Sequence, residues 1–160
     1  MPIISNTSPI LNLAIIDKLF LLQKQFGEIL IPPGVLEELR IEEELPGSYI
    51  IREAIRLEWI KVQRVESLSL IQILQRELDK GESEAIALAL QTQAEKILLD
   101  EREARRIAKS VGLQVTGLIG IILHAQDRGD LSSASETIKE LCEKAGFRIA
   151  PQLLIDINLK

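Results

Sequence analysis

One cysteine, one histidine, one tryptophan, one tyrosine and three phenylalanines are all that 160 residues contain of those types. The lone Cys142 excludes an internal disulfide and a cysteine-based zinc site. The lone His124 has no second histidine for a zinc pair and no partners for a nucleophilic triad, so it reads as structural. Neither G-x-x-x-x-G-K nor G-x-G-x-x-G occurs, which removes the common nucleotide-binding loops. Gly117 and Gly120 read instead as positions of close helix packing. No D-x-D follows the first apolar run, which disfavours an aspartyl-phosphate hydrolase. Lys and Arg number 19 against 24 Asp and Glu, for a net charge of −5, and no basic block stands out. Binding of nucleic acid by bulk electrostatics is therefore not expected. A metal-dependent enzyme escapes that exclusion, because its ions supply positive charge locally. Residues 117–123, the longest nearly apolar run, are too few to span a bilayer. Asn6 and Asp17 interrupt the first apolar stretch, so no signal peptide is expected and the reducing cytoplasm fits.

What is present is aliphatic. Apolar residues make up 46% of the chain, mostly Ile, Leu and Ala, far from a disordered composition. Short apolar runs alternate with amphipathic segments. Strands are expected at 3–4, 28–31, 59–62, 97–99 and 114–116. Helices are expected from Ser8-Pro9 to Ile16, after Asp17, from Pro32-Pro33, over 48–57, from Ser67 or Ser69 to near Leu78, and over 81–93, 101–111, 117–126 and 132–145. Residues 147–149 read as extended, and Pro151 opens a last helix. Strands alternating with helices imply an α/β fold with a parallel sheet covered on both faces. No repeat, linker or low-complexity tract divides the chain, so residues 1–160 read as a single domain.

In such a sheet, ligands bind beyond the carboxyl ends of the strands, where the strand order reverses. The first polar residues after the strands are Asn6, Thr7 and Ser8, then Asp100, then Thr116. Glu37 and Glu38 lie in the helix after the second strand. Glu82 and Glu84 open the apolar helix before the fourth. If the first and fourth strands are neighbours, Asn6 faces Asp100, and Glu38 and Glu82 can close an acidic cluster. Oxygen-rich clusters of this kind suit Mg²⁺ or Mn²⁺. Each residue also has a plain structural explanation. Asp100 can cap the helix that follows it, and Glu82 can stabilise a first helical turn. Glu37 and Glu38 can belong to a solvated face, and Asn6 can be a turn residue.

Four stretches share more than spacing: I-S-N-T-S-P-I-L-N-L-A, I-P-P-G-V-L-E-E-L, G-E-S-E-A-I-A-L-A and L-L-D-E-R-E-A-R-R-I-A. With the following V-G-L-Q-V-T-G-L-I-G-I-I-L they make the chain resemble the PIN-domain proteins, in particular the compact prokaryotic group related to VapC-type toxins. The likeness runs from residue 3 to about residue 150. It implies a three-layer α/β sandwich around a five-stranded parallel sheet of order 3-2-1-4-5. It also implies a Mg²⁺- or Mn²⁺-dependent ribonuclease, a homodimer, and possession of an antitoxin partner. The family places four acidic residues in its site. They match Asn6, Glu38, Glu82 (with Glu84 as the alternative) and Asp100. Thr7 and Ser8 match the hydroxyl residues that often follow the first acid.

Asn6 is the departure, since the family normally has Asp there. An amide oxygen still ligates a hard cation but brings no charge. Two classes of function follow. One is a metal-dependent endoribonuclease, weakened at its first ligand and acting as the toxin of a toxin–antitoxin pair. The other is a catalytically inactive PIN-fold module that binds RNA or a protein. A purely structural α/β domain would hold no ion at the cluster.

Overall fold

A computed structural model of the chain describes residues 1–158, with side chains in the last helix described only at 152, 153, 155 and 156. Five short strands form one parallel sheet: β1 (Ile3–Ser5), β2 (Ile29–Ile31), β3 (Ile60–Val62), β4 (Lys96–Leu98) and β5 (Val115–Thr116). Their order is β3-β2-β1-β4-β5. Ile3, Ile4 and Ser5 are all buried, at 6%, 0% and 0% exposure. Successive strand residues point to opposite faces, so burial of all three means both faces of the sheet are covered. That is why these strands read as unbroken aliphatic runs rather than as alternating ones.

The covering helices are α1 (Thr7–Ile15), α2 (Phe20–Phe26), α3 (Pro33–Leu39), α4 (Ser48–Arg56), α5 (Leu68–Leu74), α6 (Lys80–Gln91), α7 (Arg102–Ser110), α8 (Leu118–Asp127), α9 (Ala134–Lys144) and α10 (Pro151–Asn158). The most central is α6, where every residue from Gly81 to Ala89 is buried. An apolar helix of this kind belongs in the interior. Its alanines keep it narrow enough to lie against β1, β4 and α3 at once. Each fully buried Leu or Ile, such as Leu13 or Ile86, contributes about 1.5–3 kcal/mol.

Most expected boundaries move by a residue or two, and three differences have a physical cause. The first helix begins at Thr7, with Asn6 rather than Ser8 in the capping position. α5 ends at Leu74 instead of near Leu78. There, Arg76 and Glu77 donate to Ile73 and Leu74 in tighter i→i−3 turns, and Asp79 then turns extended (ψ 177°) to cap α6. Residues 147–149 pair with no strand among the described residues. Their exposure still alternates, Phe147 and Ile149 half-buried and Arg148 exposed, as an extended segment lying on a surface requires. The expected domain reached residue 160, and its last two residues lie outside those described.

The order reverses between β1 and β4. β1 continues through β2 to β3 on one side, and β4 through β5 on the other. Ser5 pairs with Leu98 in this central ladder, and the Asn6 N–H donates to the Leu98 carbonyl at 3.0 Å. The residues just past β1 and β4 are thus neighbours at the switch point of the sheet.

Candidate functional site

Asn6 occupies the N-cap of α1 yet makes no capping bond. An N-cap side chain accepts from the N–H of the second or third helical residue. Here the third is Pro9, which has no N–H to give. The amide oxygen Oδ1 is buried without any hydrogen-bond partner, in a residue only 5% exposed. An unmet buried acceptor costs about 1–3 kcal/mol, and it marks an atom that lacks a donor or a cation.

Asp100 follows the paired end of β4. Its Oδ1 accepts the Leu118 N–H at 2.8 Å, and its Oδ2 faces the Ser8 hydroxyl at 3.4 Å. Ser8 Oγ is held in turn by Asn12 Nδ2 at 3.0 Å. Asp100 does not cap the helix it precedes, because the N-cap of α7 is Glu101. It caps α8 instead, whose own N-cap is the side-chain-less Gly117. A β-carbon at Gly117 would sit 2.9 Å from Asp100 Oδ1 and 2.6 Å from Arg105 Nη1, so the glycine makes room for both charged groups. Burial pushes the Asp100 carboxyl above its ordinary range, against the pull of the Leu118 N–H, the Arg105 charge and Ser8. Arg105 is anchored by donating Nη1 to the Leu99 carbonyl at 2.9 Å. Thr116 lies alongside: its carbonyl accepts from the Leu99 N–H at 3.0 Å.

Glu38 is held by the residue after Asn6. Its Oε2 accepts from Thr7 Oγ1 at 2.6 Å and its Oε1 from the Gly81 N–H at 3.1 Å. Glu84 returns the same contact in reverse, accepting the Gly34 N–H at 2.9 Å. So α3 and α6 each place a glutamate on the other's N-terminal turn, where the helix dipole favours negative charge. Glu84 is thereby drawn to the start of α3. Glu82 has its expected structural role: its Oε1 accepts the Asp79 N–H at 3.2 Å while Asp79 caps its own N–H at 2.8 Å. Burial raises the Glu82 carboxyl above the usual carboxylate range, and the charges of Asp79, Glu101 and Glu38 add to that. Glu37 points outward to Lys80 at 2.8 Å.

Thr7 and Ser8, next to the partnerless Asn6, therefore link two groups, Glu38 near Glu82 and Asp100 with Arg105. Among the described residues no three Asp, Glu, His or Cys side chains converge into a closed cage for one ion. Mg²⁺ does not require a closed cage. It keeps several waters and is held by one or two carboxylates, with substrate phosphates completing the shell. Asp100, Glu38 and the orphaned Asn6 Oδ1 are hard oxygen donors that fit such an ion. Sequence reasoning missed Arg105 and Asn12. An arginine five residues after a strand-end aspartate is the only local signal for the first; nothing local marks the second.

The fold has a solved counterpart in a PilT N-terminus domain protein from the hyperthermophilic archaeon Sulfolobus solfataricus. The TM-score is 0.52 at 13% identity, over 78% of this chain and 93% of that one. At that identity the likeness establishes the architecture alone. The sequence profile of the PIN domain matches residues 2–158. The chain belongs to the PIN-domain family, whose members are generally nucleases dependent on divalent metal. No curated protein matches it.

Proposed function

We propose that this chain is a divalent-metal-dependent endoribonuclease, related to the VapC-type toxins and weakened at its first ligand position. The observation that carries the reading is the buried, partnerless Oδ1 of Asn6 beside Asp100 at the switch point. A bound Mg²⁺ or Mn²⁺ supplies Lewis-acid charge to a phosphate and lowers the pKa of a water. The chain's own residues do the rest. Thr7 and the Gly81 N–H fix the carboxylate of Glu38, and Ser8 and the Leu118 N–H fix that of Asp100. Both are thus oriented before substrate arrives. Glu82, whose carboxyl burial raises above the ordinary carboxylate range, is the carboxylate of this set suited to accept a proton.

The metal set is Asn6, Glu38, Glu82 and Asp100, with Glu38, Glu82 and Asp100 carrying the chemistry. The substrate is single-stranded RNA, and an antitoxin protein would restrain the activity. Asp100→Asn abolishes cleavage of single-stranded RNA in this reading, as does EDTA. Full activity in either condition removes the assignment.

A second reading has one observation in its favour. Asn6 is neutral, and the described carboxylates do not close around an ion. A PIN-fold module that binds RNA or protein without cutting would look the same. Such a module binds RNA equally well with Mn²⁺ or with EDTA.

A further inference from the structure

Beyond Asp100 the acidic centre opens into a groove of about 810 Å³. One wall is the end of β5 with the first turns of α8. The other is the segment that follows α9, where the chain turns at Gly146 and the Phe147 N–H donates to the Leu141 carbonyl at 3.2 Å. Ser8 and Asp100 close the acidic end, Arg105 and Thr116 lie beside them, and Phe147 and Arg148 face them across the groove.

The chain carries a net charge of −5, yet in this groove two guanidiniums, Arg105 on one side and Arg148 on the other, balance the carboxylates of Asp100 and Glu101. Arg148 is exposed and has no salt-bridge partner among the described residues. Arg105 spends a single N–H on Leu99, which leaves most of its five donors. The guanidinium fork matches phosphate oxygens. A half-buried phenyl ring on the same wall offers a face on which any base can stack. The groove's size falls within the roughly 300–1,000 Å³ typical of small-ligand sites, enough for one nucleotide.

We propose that this groove seats the nucleotide adjoining the scissile phosphate of a single-stranded RNA, with Arg148 and Arg105 on its backbone and Phe147 against its base. The word scissile rests on the nuclease reading; the binding does not. Phe147 and Arg148 are sequence neighbours on an extended segment, so their side chains leave the backbone in different directions. One meets the half-buried floor and the other the open rim. That division suits a ligand with a flat apolar part and a charged edge.

The test uses the full chain carrying Asp100→Asn and a fluorescein-labelled single-stranded hexaribonucleotide, read by anisotropy over a salt series in Mg²⁺. Arg148→Gln in that background weakens binding about tenfold and lowers the salt slope by about one contact. Phe147→Leu weakens it by about tenfold with the slope unchanged, and Phe147→Tyr, which keeps the ring, restores it. Arg148→Gln and parent binding with equal affinity, or no binding by the parent at millimolar protein, overturns the proposal. Cleavage by the unmutated chain in Mn²⁺ separates the two readings. No cleavage with the binding pattern intact sinks the nuclease and leaves the groove standing. Cleavage with KM unmoved by Arg148→Gln sinks the groove alone.

Discussion

Residues 6, 7 and 8 send three consecutive side chains to three destinations: an empty polar position, Glu38 and Asp100. Only the first lacks a partner, and only the first departs from the family pattern. Asn6→Asp adds a charge beside the half-buried carboxylate of Asp100. Two like charges about 4 Å apart at an effective dielectric near 20 repel by on the order of 4 kcal/mol. The variant is therefore expected to melt lower than the parent in EDTA. With Mn²⁺ the order reverses. Affinity rises tenfold to a thousandfold, at about 1.4 kcal/mol per decade, and cleavage of RNA rises with it. Calorimetry of Mn²⁺ binding beside a cleavage assay decides the matter. Unchanged affinity and unchanged cleavage would make Asn6 a turn residue only.

Asp100 gives a second prediction at the same scale. Its carboxyl is raised above the ordinary 3.8 by burial, so the folded metal-free protein binds this proton more tightly than the unfolded chain does. Stability from this group is full below 3.8 and is lost as pH rises through the raised native value. At pH 7 the buried charge is a net cost. Asp100→Asn keeps an oxygen for the Leu118 N–H and removes the charge. In EDTA it is expected to melt above the parent at pH 7, with the gap closing as pH falls towards 4. A variant that melts lower at pH 7 would mean the carboxylate is net stabilising.

Between elements, the crossing of α3 and α6 determines where Glu38 lies. Glu84 accepts the first free N–H of α3, at Gly34, because the preceding Pro32 and Pro33 have neither a capping side chain nor a backbone donor. A β-carbon at Gly34 would meet Glu84 Oε2 at 2.7 Å. Glu84→Gln retains an acceptor oxygen, so stability and RNA cleavage both stay near the parent. Glu84→Ala leaves a buried N–H unmet and costs about 1–3 kcal/mol, which a urea titration reads directly. Loss of cleavage in a stably folded Glu84→Gln would instead place Glu84 among the metal ligands. The parallel α/β sheet and the strand-end polar residues 6 and 100 are legible in the sequence, because aliphatic runs, helix starts and strand ends are local signals; the strand order that makes those two residues neighbours comes only from the family resemblance. The α3–α6 exchange, the capping of α8 by Asp100 and the wall at 147–148 are not legible. Each is a contact between residues distant in sequence, with no periodicity to announce it. The shift of the first helix to Thr7 has a subtler cause. Ser8-Pro9 has the form of a helix start, and proline is tolerated anywhere in a first turn, where its missing N–H costs nothing.

On the scale of the whole molecule, several apolar side chains on the covering helices stay exposed. No helix among the described residues is long and apolar enough to cross a membrane. In α10, Leu153 is 40% and Ile155 53% exposed, while Leu154 of the same apolar run lies outside the described side chains. Burial against the chain's own core therefore does not account for Leu153 and Ile155, and the homodimer implied by the family resemblance remains our proposal for what covers them. A second copy packed on α10 would lie next to the groove that ends at Arg148, joining the two acidic centres along one face. Light scattering is then expected to give twice 17.9 kDa at high micromolar concentration, and Ile155→Asp to halve it without lowering the melting temperature of the dilute protein. A mass of 17.9 kDa for the parent at that concentration rules the dimer out. A dimer indifferent to Ile155→Asp moves the interface elsewhere, to the exposed Tyr49 or to Leu68 and Ile73 on α5.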